Sequence, residues 1–313
     1  MPRWRLVLAT LFLYLLWSNS FVAMSYVLGS ERAAARLGWM GLTQARFLPV
    51  TAIGAAWLLL ARRDWVPALW AIRGRLLVAG LLAVPGYSLS LYWGIEQGIP
   101  APVASLITAV SPLALLLLGA AFLGEPLTRR KLTGIVVSGL GLLLVARGRA
   151  GSGVQIDAYA PILVATLAPL SWSLVTVLGK PVTRELPADV WTAGYLVAGG
   201  LPLALLWPWT GAEVLALDAR GWGAVLYLSL ACTLLGFVLW SWLVVHLPAS
   251  SAGFTVFLNP PMTLASQLLL AAVFPATFAF APRPLELVGA AVVLAGMGVA
   301  LGTLRRAEVA TAR

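Results

Sequence analysis

The sequence predicts an all-α integral membrane protein whose ten transmembrane helices form two inverted five-helix repeats. Three observations predict this fold: an unusually apolar composition, ten separate apolar runs, and residues that recur in the same order in both halves. Of the 313 residues, 61% are hydrophobic and only 10% are charged, and the mean hydropathy is +0.93. A soluble domain carries about 25% charged residues, so most of this chain is expected to face lipid. The short connections between the runs leave no room for a soluble enzyme domain.

Each apolar run is close to the length of about 20 residues with which a helix crosses a bilayer. The first run follows Arg3 and Arg5, as a secretory signal would. It is too long for the apolar region of such a signal and is interpreted as a retained helix. The ten predicted spans, in order, are Leu6–Tyr26, Thr43–Ala61, Leu76–Trp93, Ala101–Leu123, Leu132–Ala146, Pro161–Leu178, Val190–Trp209, Gly221–Trp242, Ala249–Phe274 and Leu285–Leu304.

The basic residues are unevenly distributed between the two sides of the predicted membrane. Of the 21 Lys and Arg residues, fourteen lie at the N-terminus, in the gaps after even-numbered spans or in the tail. Six lie in the other gaps, and Arg46 lies within the second span. Cytoplasmic loops carry the excess of positive charge, so both termini are predicted to be cytoplasmic in a multi-pass protein of the cell inner membrane. Because the net charge of +10 comes from these short gaps, the expected partner is the lipid bilayer and not a nucleic acid.

Residues that usually carry catalysis or bind metals are sparse. The chain has one cysteine, Cys232, and one histidine, His246, so it cannot form a disulfide with itself or a multi-histidine metal site. All eleven Asp and Glu residues fall in gaps or at the ends of spans. This placement provides no mid-membrane carboxylate for a proton relay, a buried acid pair or a Mg²⁺ site. The sequence therefore predicts no enzyme, no metal and no cofactor.

The two halves of the chain repeat a sparse pattern of Trp, Pro and Gly. An odd number of spans in each half makes the second copy enter the membrane in the opposite direction, which gives an inverted repeat. The predicted units are residues 1–149 and 150–313. The recurrences at an offset of 155 are Trp17-Ser18 with Trp172-Ser173, Leu132 with Leu287, Gly134 with Gly289 and Gly141 with Gly296; those at 148 are Pro100-Ala101 with Pro248-Ala249 and Pro112 with Pro260.

These segments resemble the drug/metabolite transporter superfamily, specifically its EamA-type members. LLWSNSFVA in the first span resembles the opening helix of that family, and Ala45–Phe47 resembles the start of its second helix. Pro112–Val145 resembles the end of the repeat, including Gly124-Glu125, and Leu170–Lys180 resembles the opening of the second copy. The chain departs from the pattern in the second copy, where VFPATFAFAPRPLELVG replaces a second Gly-Glu pair. The resemblance implies a ten-helix transporter, usually an exporter of amino acids or other small metabolites.

Mid-membrane aromatic and polar residues are the candidates for substrate binding, because polar groups are costly in hydrocarbon. Core packing of the two Trp residues, and hydrogen bonding between helices for the hydroxyls, are the alternative interpretations. For Arg46, snorkelling of the side chain to the interface and binding of a substrate carboxylate both remain open. The predicted substrate-binding residues are Trp17, Asn19, Arg46, Thr108, Ser111, Trp172, Ser173, Thr255 and Asn259.

Glu96 and His246 at the span ends are candidates for gating or coupling, with solvated interfacial residues as the alternative. Any proton dependence is expected to be weak or to use these two residues. Glu125 is interpreted as structural, near the positive N-terminal end of the fifth span. Gly298 and Gly302 are expected to support close helix packing, either within the chain or in a homodimer.

The predicted function is export of small metabolites, in particular amino acids or amino-acid-like compounds, by alternating access at a site between the repeats. One alternative is an importer or exchanger of nucleotide-like or phosphorylated solutes with the same fold. A phosphate substrate should need several Arg or Lys residues at the cavity, whereas only Arg46 and Lys180 qualify. A membrane scaffold without transport activity is the alternative from another class. The protein is expected to be a monomer or a homodimer.

Overall fold

The computed structural model describes residues 3–28, 37–99, 101–150, 159–274 and 282–302. Within these ranges every regular element is helical, and ten helices are long and apolar enough to cross a membrane. The predicted all-α membrane fold is thereby confirmed. The ten helices are α1 (Trp4–Val27), α2 (Trp39–Leu60), α3 (Arg73–Glu96), α4 (Val103–Leu123), α5 (Arg129–Gly148), α6 (Ala160–Val182), α7 (Ala188–Leu215), α8 (Ala219–His246), α9 (Ala249–Val273) and α10 (Pro284–Leu301).

Some features used for the sequence predictions lie outside the described residues. They are residues 1–2, 29–36, 151–158 and 303–313 of the two predicted units, which include the last two residues of the tenth predicted span. Also outside are residues 275–281 of the segment that departs from the family pattern, Pro100 of the repeat, and the basic residues Arg32, Arg36, Arg305, Arg306 and Arg313. These basic residues contributed to the predicted orientation in the membrane. Each of the two sides of the molecule is therefore named below after a glutamate that lies on it. The Glu125 face carries the ends of α4 and α6 and the start of α9. The Glu96 face carries the end of α3 and the start of α2.

The distribution of side chains is that of a membrane protein, with an apolar exterior and polar groups inside. Leu60 is 84% exposed and Trp209 is 76% exposed, whereas Gln44, Ser173 and Thr263 are buried. Soluble proteins show the opposite arrangement, because their polar residues are mostly exposed. The exposed apolar side chains are therefore suited to contact lipid, and the buried polar groups need partners within the protein.

Five of the helices in the described part of the chain are irregular near their centres: α7 has a 3₁₀ segment at Leu201–Leu206, and the other four occupy equivalent positions in the two halves. The third helix of each half, α3 and α8, contains a π-helical segment, at Leu82–Gly86 and Tyr227–Leu235 respectively. The fourth helix of each half, α4 and α9, is interrupted just before Pro112 and Pro260. Proline has no N–H to donate, and π-helical turns displace the backbone, so both leave carbonyls that need other partners. These interruptions create space between the helices at mid-depth.

α5 and α10 pack closely through glycines that the repeat relates to one another. A Cβ atom on Gly141 would lie 2.7 Å from the carbonyl oxygen of Gly289, and one on Gly296 would lie 2.8 Å from that of Gly134. Only glycine allows the two backbones to approach this closely. Gly298 makes no such close contact within the described chain, since a Cβ atom there would meet nothing within 4 Å. Packing of this residue against a second copy stays a prediction.

Candidate substrate cavity

A narrow cavity lies at mid-depth between α1, α2, α3, α4, α6, α8 and α9. Its volume of about 40 Å³ has room for a few water molecules, so a larger solute requires the helices to separate. The interrupted parts of α3, α4, α8 and α9 all contribute lining residues, which explains why the space forms here. The lining residues are Trp17, Ser20, Phe21, Met24, Arg46, Tyr87, Thr108, Ser111, Trp172, Phe237, Val256 and Asn259.

Six of the nine residues predicted to bind substrate line this one cavity, although their role in binding remains a prediction. Trp17 comes from α1, Arg46 from α2, Thr108 and Ser111 from α4, Trp172 from α6 and Asn259 from α9. The three polar residues from α4 and α9 lie beside the interruptions that precede Pro112 and Pro260. The cavity therefore brings together residues that are as much as 242 positions apart in the sequence.

Arg46 is the charged residue of the cavity, and its side chain does not reach the membrane interface. It is only 4% exposed, so the snorkelling interpretation is wrong. Its Nε donates a 2.7 Å hydrogen bond to Oγ1 of Thr233, and its Nη1 donates to the hydroxyl of Tyr92. The guanidinium carbon also lies 5.3 Å from the ring centre of Phe47. All of these partners are neutral.

No carboxylate in the described part of the chain pairs with Arg46, and none of its hydrogen bonds uses Nη2. The π-helical segment of α8 fixes the Thr233 partner, since the hydroxyl of Thr233 also donates a 2.8 Å bond to the carbonyl of Leu228. A buried ionised group without a counter-charge is energetically unfavourable. The cavity therefore holds a positive charge that an anion would neutralise.

Asn259 presents the second unsatisfied polar group of the cavity. Its side chain is 4% exposed, and its Oδ1 has no hydrogen-bond partner among the residues that the structure describes. The residue begins the second part of α9, directly after the 3₁₀ turn Val256–Leu258. Most buried polar atoms in proteins are hydrogen-bonded, so this free acceptor is suited to a donor group on a bound solute.

Aromatic rings form the apolar walls of the cavity. The ring centres of Trp17 and Trp172 are 5.6 Å apart in an edge-to-face arrangement, and those of Trp172 and Phe237 are 4.7 Å apart. Tyr87 packs against Trp172 at 5.9 Å. Such ring pairs stabilise one another beyond their buried area. Trp17 and Trp172 thus both pack in the interior and face the cavity, and substrate binding by these residues stays a prediction.

Sequence reasoning missed Tyr87 and Phe237 as lining residues. Each follows a glycine at the end of a π-helical segment, in Gly86-Tyr87 and Gly236-Phe237. These two Gly-aromatic pairs are 150 positions apart in spans that the repeat relates. Recurrence of the pair was the signal that could have identified both residues.

Trp240 closes the cavity toward the Glu125 face. Its ring centre lies 5.8 Å from that of Trp172 and 5.6 Å from that of Trp17, and its Nε1 donates a 3.1 Å hydrogen bond to Oγ1 of Thr176. Beyond it lies a second, smaller cavity that is lined by polar as well as apolar groups. Its lining residues are Val175, Thr176, Gly179, Thr183, Trp191, Tyr195, Trp240, Ser241 and Val244.

Asn19, Ser173 and Thr255, the other three residues that were predicted to bind substrate, do not line this cavity. Asn19 lies two residues after Trp17, which turns it about 200° away on a helix, and it donates a 2.8 Å bond to the carbonyl of Leu15. Ser173 directs its hydroxyl to the carbonyl of Pro169 at 2.7 Å. The hydroxyl of Thr255 lies 2.9 Å from that of Tyr14. The hydroxyls of Ser173 and Thr255 thus form hydrogen bonds with polar atoms of the protein interior.

On the Glu96 face, two carboxylates meet the N-terminus of α2. Glu96 accepts a 3.2 Å hydrogen bond from the backbone N–H of Trp39, and Glu213 accepts a 3.1 Å bond from that of Gly38. Negative charge is stabilised at the positive end of a helix. Glu96 thus joins the end of α3 to the start of α2. Its role in gating stays a prediction.

On the Glu125 face, Glu125 joins α4 to α9. It accepts hydrogen bonds from the backbone N–H groups of Ala249 and Ser250, the latter at 3.0 Å, and Lys131 donates a 2.8 Å bond to the hydroxyl of Ser250. Glu125 therefore contacts the N-terminus of α9 and not that of α5, contrary to the expectation from sequence. His246 is exposed on the same face, and its ring centre lies 4.5 Å from that of Trp242 in a tilted arrangement.

The fold and the cavity together are those of a membrane transporter: in the described part of the chain, ten membrane-length helices surround a mid-depth cavity that holds a buried arginine without an acidic partner. The sequence pattern of the EamA-like transporter family matches residues 4–147 and again residues 160–302. The chain therefore belongs to the EamA-like transporter family. The two matches cover five helices each, in agreement with a duplicated chain.

Curated relatives carry transporter names. A protein of Archaeoglobus fulgidus, described as an uncharacterized transporter, is 25% identical over 82% of this chain and 86% of its own length. A probable terminal-alkyne amino-acid exporter of Streptantibioticus cattleyicolor is 28% identical over 70% of each chain. A probable amino-acid metabolite efflux pump of Salmonella typhimurium is 26% identical over 71% of this chain and 74% of its own.

A solved crystal structure of another protein shares the fold. It covers 98% of this chain and 100% of its own with a TM-score of 0.69, and the two sequences are 24% identical. At this level of identity the likeness establishes the fold alone.

Proposed function

We propose that this protein exports amino acids and amino-acid-like compounds with apolar side chains by alternating access. The observation that carries the proposal is the buried guanidinium of Arg46, which lines the cavity without an acidic partner. A guanidinium forms strong, charge-assisted hydrogen bonds with a carboxylate. The free Nη2 of Arg46 is available for such contacts.

The rest of the cavity complements an amino acid. The ammonium group of the solute needs acceptors, and the unpartnered Oδ1 of Asn259 supplies one. The rings of Trp17, Trp172 and Phe237 supply an apolar wall for the side chain. Small-molecule sites typically combine mostly apolar walls with a few polar groups of this kind.

The closed Glu125 face supports a mechanism of alternating access. If both termini are cytoplasmic, as the basic residues predict, this face is cytoplasmic, and the structure represents a state closed on that side by Trp240 and Trp172. Inverted repeats that rock about a central site would then open the two sides in turn. A reporter fused after Arg313 that is active only outside the cell would contradict this orientation.

Export of amino-acid-like solutes also agrees with the names of two relatives, the amino-acid exporter and the amino-acid metabolite efflux pump. Phosphorylated solutes are a poorer match, because Lys180 donates its hydrogen bonds to the carbonyls of Val244 and Leu247 and does not line the cavity. Arg46 alone would then face a phosphate group.

Counterflow in proteoliposomes tests the proposal. Vesicles loaded with unlabelled solute and diluted into labelled solute should accumulate label for leucine and related amino acids. Nucleosides and sugar phosphates should give no accumulation above that of empty vesicles. Accumulation of a sugar phosphate without accumulation of any amino acid would contradict the proposal.

A further inference from the structure

We infer that the cavity selects its solute by net charge: it binds a monocarboxylate that lacks an ammonium group at least as well as the matching amino acid, and it rejects the matching amine. The chemical class is that of 2-oxo acids and N-acylated amino acids. The inference rests on the proposed function because it concerns the same cavity, but it requires no particular direction of transport.

The argument begins with the charges at the cavity. Eleven of the twelve lining residues are neutral, and Arg46 carries a full positive charge. The groups that contact the guanidinium, Thr233, Tyr92 and Met24, are neutral as well. The empty cavity therefore has a net charge of plus one.

The only groups offered to an ammonium are neutral dipoles and ring faces. Oδ1 of Asn259 is an amide oxygen, and the hydroxyls of Ser20 and Thr108 donate to the backbone carbonyls of Trp17 and Ser105. An aromatic ring attracts a cation only at short range. Repulsion between an ammonium and Arg46 acts across the whole narrow cavity, where the dielectric is low.

The charge balance then orders three classes of solute. A monocarboxylate without an ammonium group neutralises the cavity, a zwitterionic amino acid leaves it with a net positive charge, and an amine adds a second positive charge. Because buried net charge is unfavourable, the monocarboxylate should bind most tightly and the amine least tightly.

Three probes that share one branched side chain test this order: leucine, 4-methyl-2-oxopentanoate and 3-methylbutylamine. A ligand that binds the folded state raises the melting temperature, so each probe is titrated against the purified protein at constant pH and salt. The oxo acid is expected to raise the melting temperature at concentrations equal to or below those for leucine. The amine is expected to cause no rise.

Two variants connect the order to the named residues. Asn259→Asp is nearly isosteric and adds one negative charge, so the ratio of leucine affinity to oxo-acid affinity should rise by about tenfold or more. Arg46→Gln should abolish binding of both carboxylates. If Arg46→Gln does not fold, Arg46→Lys, which keeps the charge, should still bind the oxo acid at least as well as leucine and should not bind the amine. Arg75→Gln, which alters an exposed arginine outside the cavity, should bind as the wild type does.

The outcomes separate the two proposals. Binding of leucine and the amine without the oxo acid would overturn the charge selectivity and leave the amino-acid function standing. Binding of the oxo acid without leucine would support the selectivity and contradict the amino-acid function. If none of the three probes binds, both proposals fall. An unchanged ratio of leucine affinity to oxo-acid affinity in Asn259→Asp would also overturn the selectivity.

Discussion

The indole Nε1 of Trp17 donates a 2.9 Å hydrogen bond to the backbone carbonyl of Cys232, which joins α1 to the π-helical segment of α8. This contact links a wall of the cavity to the backbone irregularity that makes room for it. The segment also positions Thr233 against Arg46. One tryptophan thus contributes both to the stability of the interior and to the shape of the site.

Trp17→Phe should separate these two contributions. The phenyl ring retains most of the aromatic wall but leaves the carbonyl of Cys232 without its donor. Interhelical hydrogen bonds in membranes contribute about 0.6 kcal/mol on average, and an unsatisfied buried acceptor costs more. We expect a loss of about 1 kcal/mol in stability, measured as a lower melting temperature, with transport retained. An unchanged melting temperature would show that the hydrogen bond does not stabilise the protein.

Trp240→Ala should open the cavity toward the Glu125 face, because Trp240 separates the two cavities and is held by Thr176. Ser111→Cys in a Cys232→Ser background places a single thiol at the main cavity. A membrane-impermeant thiol reagent applied from the Glu125 face should label this thiol faster when Trp240 is replaced. Trp209→Ala, at a side chain that is 76% exposed, is the control. Equal labelling rates in both variants would exclude Trp240 as a barrier.

Glu125→Gln should weaken the junction between α4 and α9. The neutral amide still accepts hydrogen bonds but loses the charge-assisted contacts to the N-terminus of α9, each worth about 1.5–3 kcal/mol when an ionised group takes part. A lower melting temperature is expected, together with faster labelling of the cavity thiol from the Glu125 face. Glu185→Gln, at an exposed residue, should match the wild type. If the two variants behave alike, Glu125 does not hold this face closed.

Gly141→Ala and Gly139→Ala should have opposite effects on stability although they lie on the same helix. A Cβ atom on Gly141 would lie 2.6 Å from the backbone nitrogen of Val293, so α5 and α10 must separate, at a cost of about 1–3 kcal/mol. A Cβ atom on Gly139 meets nothing within 4 Å, and alanine favours the helix by about 0.5–1 kcal/mol. Thermal unfolding of the two variants tests this, and equal shifts would contradict the packing.

The fold could be predicted from the sequence because the length of apolar runs depends on bilayer thickness and little else. The site was harder to predict. Central Trp and Pro residues identified most of the cavity, since the prolines interrupt the helices where space forms. Asn19 was misplaced because helix geometry turns it away from Trp17. Phe237 was missed because the π-helical segment that turns it inward leaves little local signal in an apolar run.

The central claim is that Arg46 binds the carboxylate of a transported solute, and leucine counterflow by Arg46→Gln tests it most directly. Arg75→Gln and the wild type are reconstituted beside it at equal density, and folding is checked by thermal unfolding. Loss of a charge-assisted contact of about 1.5–3 kcal/mol should lower counterflow at subsaturating leucine by roughly 10- to 100-fold, with Arg75→Gln unaffected. Wild-type counterflow by folded Arg46→Gln would contradict the account.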